Sequence, residues 1–287
     1  MSGERITISQ ASQMLGIPVP TIRSWERRYD FPSPARTGGQ HRRYTIAEIE
    51  SLRAVRDGIT RGHPAREAVA LVRAAEGAPI DRTEFLDRFT EGATLLDPDK
   101  LRTALDDAER LIGVERAITE VAMPGMHEMG DRWRTGRCDV ANEHIATQVV
   151  RGWLSRLDSQ SPPSFHRRPI VLAGGPGELH TIGIEAFAVV LGRRGWRCTP
   201  LGAMTPASAL ATAIRASRAV GGVVTAQRSV SRRAAVEALS TASAIPGVTA
   251  FYGGSAFAAT RSRENVPGIY LGDDLVRGAD LLESCLR

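Results

Sequence analysis

The run Gly174-Gly175-Pro176-Gly177-Glu178-Leu179-His180-Thr181-Ile182-Gly183 sets an imidazole inside a glycine-rich turn. A strand-like stretch, Ile170–Ala173, leads into it, and a helix-like stretch from Ile184 to Arg194 leads out. In an open α/β sheet, such a strand-to-helix turn lies at the edge where ligands bind. Two common ligands fit it poorly. A dinucleotide calls for three spaced glycines and an acidic residue closing the second strand. Here His180 takes the third glycine's place, and Arg197-Cys198-Thr199-Pro200 offers no carboxylate. A nucleoside triphosphate calls for a lysine and a hydroxyl at the helix start, whereas Thr181 follows a histidine. The ligand of His180 is therefore the central question.

A second chemistry lies near the N-terminus. Ile8, Ala11, Met14 and Leu15 recur at helical spacing, Thr7 or Ser9 suits the cap, and Gly16-Ile17-Pro18 ends the helix. Pro20 then opens a helix that sets Ile22 and Trp25 on one side and Arg23, Arg27 and Arg28 elsewhere. Arg36-Thr37-Gly38-Gly39-Gln40-His41-Arg42-Arg43-Tyr44 reads as a basic hairpin. Thr45 with Glu48 forms a capping box for a third helix, striped by Ile46, Ile49, Leu52 and Val55, and Pro64–Glu76 forms a fourth. Two short helices, the second arginine-lined, followed by a basic hairpin make a winged helix-turn-helix. Its second helix fits the major groove, and its wing meets phosphate or the minor groove.

The remaining elements position the histidine. Helical patterns run over Thr83–Gly92, Asp99–Ile112, Val114–Arg134 and Val140–Leu157, with Pro124 expected to kink the third or restart it. Four helices of this length predict an antiparallel bundle. A serine- and proline-rich linker, Asp158–Arg168, precedes alternating strands and helices. The strands are Ile170–Ala173, Arg197–Leu201, Gly222–Ala226, Val248–Tyr252 and Gly268–Leu271. The helices are Ile184–Arg194, Pro206–Ala219, Ser231–Ala244, a weak one near Ser255–Ser262, and Asp274–Leu286. That alternation predicts an α/β doubly wound parallel sheet. The fold class is thus multidomain. Residues 1–76 form an all-α winged helix-turn-helix, 81–158 a four-helix bundle, and 168–287 a Rossmann-like sheet.

The bulk properties bound the partners. A formal net charge of +5 over 287 residues weakly favours an anionic partner, and Lys100 is the sole lysine. Met1-Ser2-Gly3-Glu4-Arg5 leads directly into a polar helical pattern, so no signal peptide is expected. Apolar runs fall short of the ~20 residues that cross a bilayer. Cys138, Cys198 and Cys285 lack metal-ligand spacing, which suits a reducing cytoplasm.

The span Ile6–Val55 resembles the MerR family of transcription regulators, most specifically in Ile22-Arg23-Ser24-Trp25-Glu26-Arg27-Arg28-Tyr29. That resemblance implies operator-DNA binding through Thr21, Arg23, Ser24, Arg27 and Arg28, and through Arg36, His41, Arg42, Arg43 and Tyr44 of the wing. Many members continue into a long pairing helix. Here the pattern breaks at Gly77-Ala78-Pro79, so a homo-oligomer is expected to assemble through the sensor domains.

Glu178-x-His180-x-x-Gly183 resembles the cobalamin-binding signature, whose histidine is the lower ligand to cobalt. The glutamate would fix the tautomer of the imidazole. Thr225-Ala226-Gln227 stands where that family has a serine-x-leucine element beside the nucleotide tail, and Gln227 departs from it. Gly253-Gly254 matches its paired glycines. Trp133, nine intervening residues and then Glu143-His144 are similar to the upper-face motif of cobalamin-sensing CarH/LitR-type regulators. The resemblance implies that Trp133, Val140, Glu143 and His144 surround the 5′-deoxyadenosyl group of adenosylcobalamin. It also implies light-driven loss of that group, disassembly and release of DNA.

In the described branch of that family a histidine follows the tryptophan and becomes the upper cobalt ligand after illumination. Arg134 stands there instead, and guanidinium has no lone pair to offer. A light state trapped by that histidine is not expected; water, His127 or His144 would take the upper position. Sensing of cofactor presence, or of another tetrapyrrole, is the first alternative. A sensor working through protein contacts without cofactor is another. A cobalamin-dependent enzyme module is the third, and the DNA reader and the lack of a substrate barrel argue against it.

Overall fold

The computed structural model describes residues 6–32, 35–36, 42–60, 62–77, 82–161, 164 and 168–286, and its backbone divides into two compact units, 1–149 and 150–287. The first unit begins with β1 (Ile6–Thr7), α1 (Ile8–Leu15), α2 (Val19–Tyr29), β2 (Ala35–Arg36), β3 (Arg42–Tyr44), α3 (Ile46–Thr60) and α4 (Ala65–Gly77). The reader is therefore not wholly helical. Ile6 and Thr7 pair with Tyr44 and Arg43 in a three-stranded antiparallel sheet ordered β1-β3-β2. Thr7 is both the last strand residue and the cap of α1, exchanging hydrogen bonds with Gln10. Thr45 and Glu48 make the expected capping box at α3. Ala11, Leu15, Ile22, Trp25, Tyr44, Ile49, Leu52 and Val55 share one core.

The bundle follows as α5 (Arg82–Thr94), α6 (Pro98–Ile112), α7 (Val114–Ala117), α8 (Met123–Arg134) and α9 (Val140–Ser159). Between α7 and α8, Ile118–Ala122 winds as a π turn, in which the Met123 N–H reaches back to the Ile118 carbonyl. The wider turn carries the helix through Pro124, which has no N–H to give. Gly125 is required just beyond: a Cβ there would lie 2.6 Å from the Phe89 ring of α5. α9 runs across the division between the two units.

The second unit holds β4 (Ile170–Gly174), α10 (Ile182–Arg193), β5 (Cys198–Pro200), α11 (Ala207–Ser217), β6 (Gly221–Thr225), α12 (Arg232–Ser243), β7 (Thr249–Gly253), β8 (Ile269–Tyr270) and α13 (Leu275–Cys285). All five strands are parallel, in the order β5-β4-β6-β7-β8. The weak helix near Ser255–Ser262 is two short 3₁₀ turns, Ser255–Phe257 and Thr260–Arg263. Val171, Ala173, Leu210, Ile214, Val224, Leu239 and Phe257 fill the core on one face of the sheet. The chain leaves β4 for β5 on one side and returns to β6 on the other. That reversal opens a crevice beyond the carboxyl ends of β4 and β6, where open α/β sheets bind ligands.

Candidate cofactor site and DNA interface

The turn after β4 is held from both sides. Gly174 N–H donates to Gly202 O at 2.8 Å, Gly175 N–H to Thr225 O at 3.0 Å, and Met204 N–H to Glu178 O at 2.8 Å. Gly177 adopts φ 79°, which a side chain disfavours. The turn thereby tucks Glu178 wholly inside, with 0% exposure. Its Oε1 accepts from His180 N–H at 2.9 Å and meets His180 Nδ1 at 2.5 Å. Its Oε2 accepts from Gln227 N–H at 2.5 Å and Arg228 N–H at 3.3 Å. Burial alone pushes the Glu178 carboxyl upward. The His180 and Gln227 amides, the His180 ring and the Arg228 amide outweigh that, and its pKa falls below the ordinary glutamate value. An ionised Glu178 takes the Nδ1 proton's hydrogen bond, leaving Nε2 with the lone pair. The His180 side chain is 60% exposed, so the ring is open to the outside of the turn.

Leu179, Met204 and Val230 are all exposed, from the loops after β4, β5 and β6. Exposed large apolar residues on adjacent loops at one sheet edge suit a flat, largely apolar ligand. Sequence reading did not single them out, because only sheet order brings three separate loops to one edge.

At the end of β6, Thr225 Oγ1 is buried and has no hydrogen-bond partner among the described residues. A Cβ added to Gly183 would find only Gln227 Nε2, at 4.0 Å. The paired glycines have different tasks. Gly254 (φ 100°) is demanded by the backbone itself, since a Cβ would lie 2.3 Å from Ala226 O, whereas Gly253 would meet only Gly272 O, at 3.6 Å. An unpaired hydroxyl, open glycines and an oriented imidazole fit a corrinoid with a buried tail.

In the first unit, Trp133 is 54% exposed near the end of α8, and Val140 is exposed at the start of α9. Next along α9, His144 Nε2 stands 3.7 Å from Glu143 Oε2, and Glu143 Oε1 accepts from Thr147 Oγ1 at 2.9 Å. Arg134 pairs with Asp131 at 3.1 Å.

The reader exposes Arg23, Arg27 and Arg28 on α2 and leaves Thr21 and Ser24 partly exposed, while Arg43 is partly buried. Tyr44 is corrected. It is fully buried, and its hydroxyl bonds Glu26, so it braces α2 from within and offers no surface to DNA. His41 lies outside the described residues, and of Arg36 and Arg42 only the strand backbone is described. Sequence reading missed Arg73 of α4, whose guanidinium donates to the Tyr29 and Asp30 carbonyls at 2.7 and 2.8 Å. It caps the C-terminus of α2.

Residues 6–74 match the MerR HTH family of regulatory proteins, and residues 86–158 match a B12 binding domain. The chain is 36% identical over 209 residues to the HTH-type transcriptional repressor CarA of Myxococcus xanthus, covering 71% of this chain and 70% of CarA. It is 31% identical over 232 residues to the repressor CarH of the same organism, covering 76% and 77%. This chain is a MerR-family transcription regulator with a B12-binding domain. The match to the B12 domain lies on the bundle, not on the sheet that carries His180. The monomethylamine corrinoid protein of Methanosarcina barkeri shares the fold, with TM-score 0.56 and 14% identity over 71% of this regulator and 99% of that protein. Among the described residues no helix is long and apolar enough to cross a membrane.

Proposed function

We propose that this regulator is a cytoplasmic repressor that binds adenosylcobalamin and releases operator DNA in light. The observation that carries the reading is the His180–Glu178 pair. A buried, ionised carboxylate fixes the imidazole so that an exposed Nε2 faces outward. His180 would ligate the cobalt, Leu179, Met204 and Val230 would meet the apolar ring, and Thr225, Gln227, Gly183 and Gly253 would receive the tail. Trp133, Val140, Glu143 and His144 would hold the adenosyl group. The cofactor supplies a light-cleavable cobalt–carbon bond. Trp133 and Glu143 would hold the adenosyl group, so its loss would remove their contact and would favour separation of the sensor domains. Joined DNA-binding heads hold an operator far more tightly than single ones, so disassembly switches affinity steeply.

The test is purification with adenosylcobalamin in the dark, followed by gel shift and sedimentation before and after illumination. A red protein that is oligomeric and DNA-bound only in the dark is expected. A protein that takes up no cobalamin, or whose DNA binding ignores both light and cofactor, overturns the reading.

A second reading rests on Arg134, which stands where the resemblance has a ligating histidine and is paired with Asp131. In that reading the regulator senses the presence of cobalamin or another tetrapyrrole, and illumination leaves DNA affinity unchanged.

A further inference from the structure

The bundle helices carry glycines for different reasons. Glycine in a helix interior is unfavourable relative to alanine, so each one calls for a cause. Packing demands two of them. A Cβ on Gly92 of α5 would lie 2.9 Å from Leu101 N, and one on Gly125 of α8 would lie 2.6 Å from the Phe89 ring. Gly130, in the interior of α8, has no such cause. Beyond its own helix backbone, a Cβ there would meet no described atom within 4 Å.

Met126, Gly130 and Trp133 follow one another at i, i+4 and i+7, so they share one face of α8. Met126 and Gly130 are half-buried, and Trp133 is exposed. A helical side chain leans over the turn on its N-terminal side, which for Trp133 is the turn that holds Gly130. The indole nonetheless stays more than 4 Å from that Cβ position. The face therefore has a notch, floored by bare backbone, between a thioether and an indole. Gly152 of α9 is as open, but it lies more than two turns past His144; the place beside Trp133 is what sets Gly130 apart.

We propose that Gly130 is a specificity-determining residue, the clearance that admits a nucleoside-sized upper group beside Trp133. The inference rests on the adenosylcobalamin reading above, which sets that group against Trp133. A purine with its ribose needs depth as well as an aromatic neighbour, and each carbon added to the floor of the notch takes depth away. An overfilled contact is relieved only by displacing a side chain or the backbone, so the loss grows with the volume added. A methyl upper group is too small to reach the floor and is indifferent to it.

The test titrates the full-length apoprotein in the dark with adenosylcobalamin and with methylcobalamin, followed by absorbance. Gly130→Ala and Gly130→Leu accompany the wild type. Both substitutions favour the helix, and the melting temperature of Gly130→Ala apoprotein should rise by about 2–4 °C, so cofactor loss is not a consequence of unfolding. Affinity for adenosylcobalamin relative to methylcobalamin is expected to fall about threefold in Gly130→Ala and about thirtyfold in Gly130→Leu. An unchanged ratio in both variants overturns the proposal, as does an equal loss for both cobalamins. A lowered melting temperature in Gly130→Ala also overturns it, because the fold itself would then demand the glycine. An unchanged ratio with altered sedimentation assigns the notch to a second copy of the chain, and the proposal falls. Wild type that binds both cobalamins without preferring the adenosyl form overturns the adenosyl reading and this proposal with it. Wild type that binds neither overturns the cobalamin reading itself.

Discussion

Arg151, on the second half of α9, donates through a terminal guanidinium nitrogen to Thr181 Oγ1 at 3.1 Å. Its Nε meets Glu185 Oε1, also at 3.1 Å, and Thr181 Oγ1 donates to the same carboxylate oxygen at 2.7 Å. Thr181 directly follows His180, and Glu143 and His144 occupy the first turns of α9. One guanidinium thus fastens the second half of α9 to the turn that bears His180. Arg151→Met should lower stability by about 1 kcal/mol, since the pair is partly exposed. It should also speed cobalamin release several-fold, read by stopped-flow exchange; an unaltered release rate would show that the tie has no bearing on the cofactor.

His180→Ala should abolish tight cobalamin retention while leaving a folded protein, because the ring is exposed and packs little. Glu178→Gln should do the opposite in part. It leaves buried donors without their carboxylate and should cost about 2–3 kcal/mol in a denaturant melt. His180→Ala protein with undiminished uptake and an unshifted cobalt spectrum would remove the central assignment.

Arg134 lacks a lone pair, so illuminated wild-type protein should lack the spectrum of cobalt held by two histidines. Arg134→His should create it. Two-histidine coordination in wild type that survives removal of both His127 and His144 contradicts this.

The two sides of α2 predict different phenotypes. Arg27→Ala removes an exposed cation; it should weaken operator binding and reduce the slope of log affinity against log salt by about 0.9. Tyr44→Phe removes the buried hydroxyl that bonds Glu26. It should lower reader stability by about 1 kcal/mol and leave the salt slope intact. A changed slope in Tyr44→Phe would return that residue to the DNA surface.

Burial beside Asp158 pushes the Cys198 thiol up to about 12. Because the thiolate is the nucleophile, Cys198 should stay unlabelled by an alkylating agent at pH 8 in the native state, while exposed Cys285 reacts. Mass spectrometry of tryptic peptides reads this directly, and equal labelling of the two would refute it.

Much of this regulator is legible in its residue order alone. The reader, the bundle, the alternating strands and the histidine turn all follow from periodicity, capping and glycine placement. Those act over a few residues and leave local marks, as Thr45 with Glu48 and Gly177 before Glu178 both show. Tertiary structure decided the rest. Glu178 is ionised and holds His180 because its second oxygen takes amides 49 and 50 residues further on. Leu179, Met204 and Val230 share one sheet edge only because the strand order sets their loops side by side. Tyr44, which reads as a wing residue, lies in the core because β3 pairs with β1 and turns that ring inward against Glu26. Parallel sheet order and strand register are set by distant pairings, and no short stretch of sequence carries them. The type of each functional residue is therefore written locally, and its partner and orientation are decided by the fold.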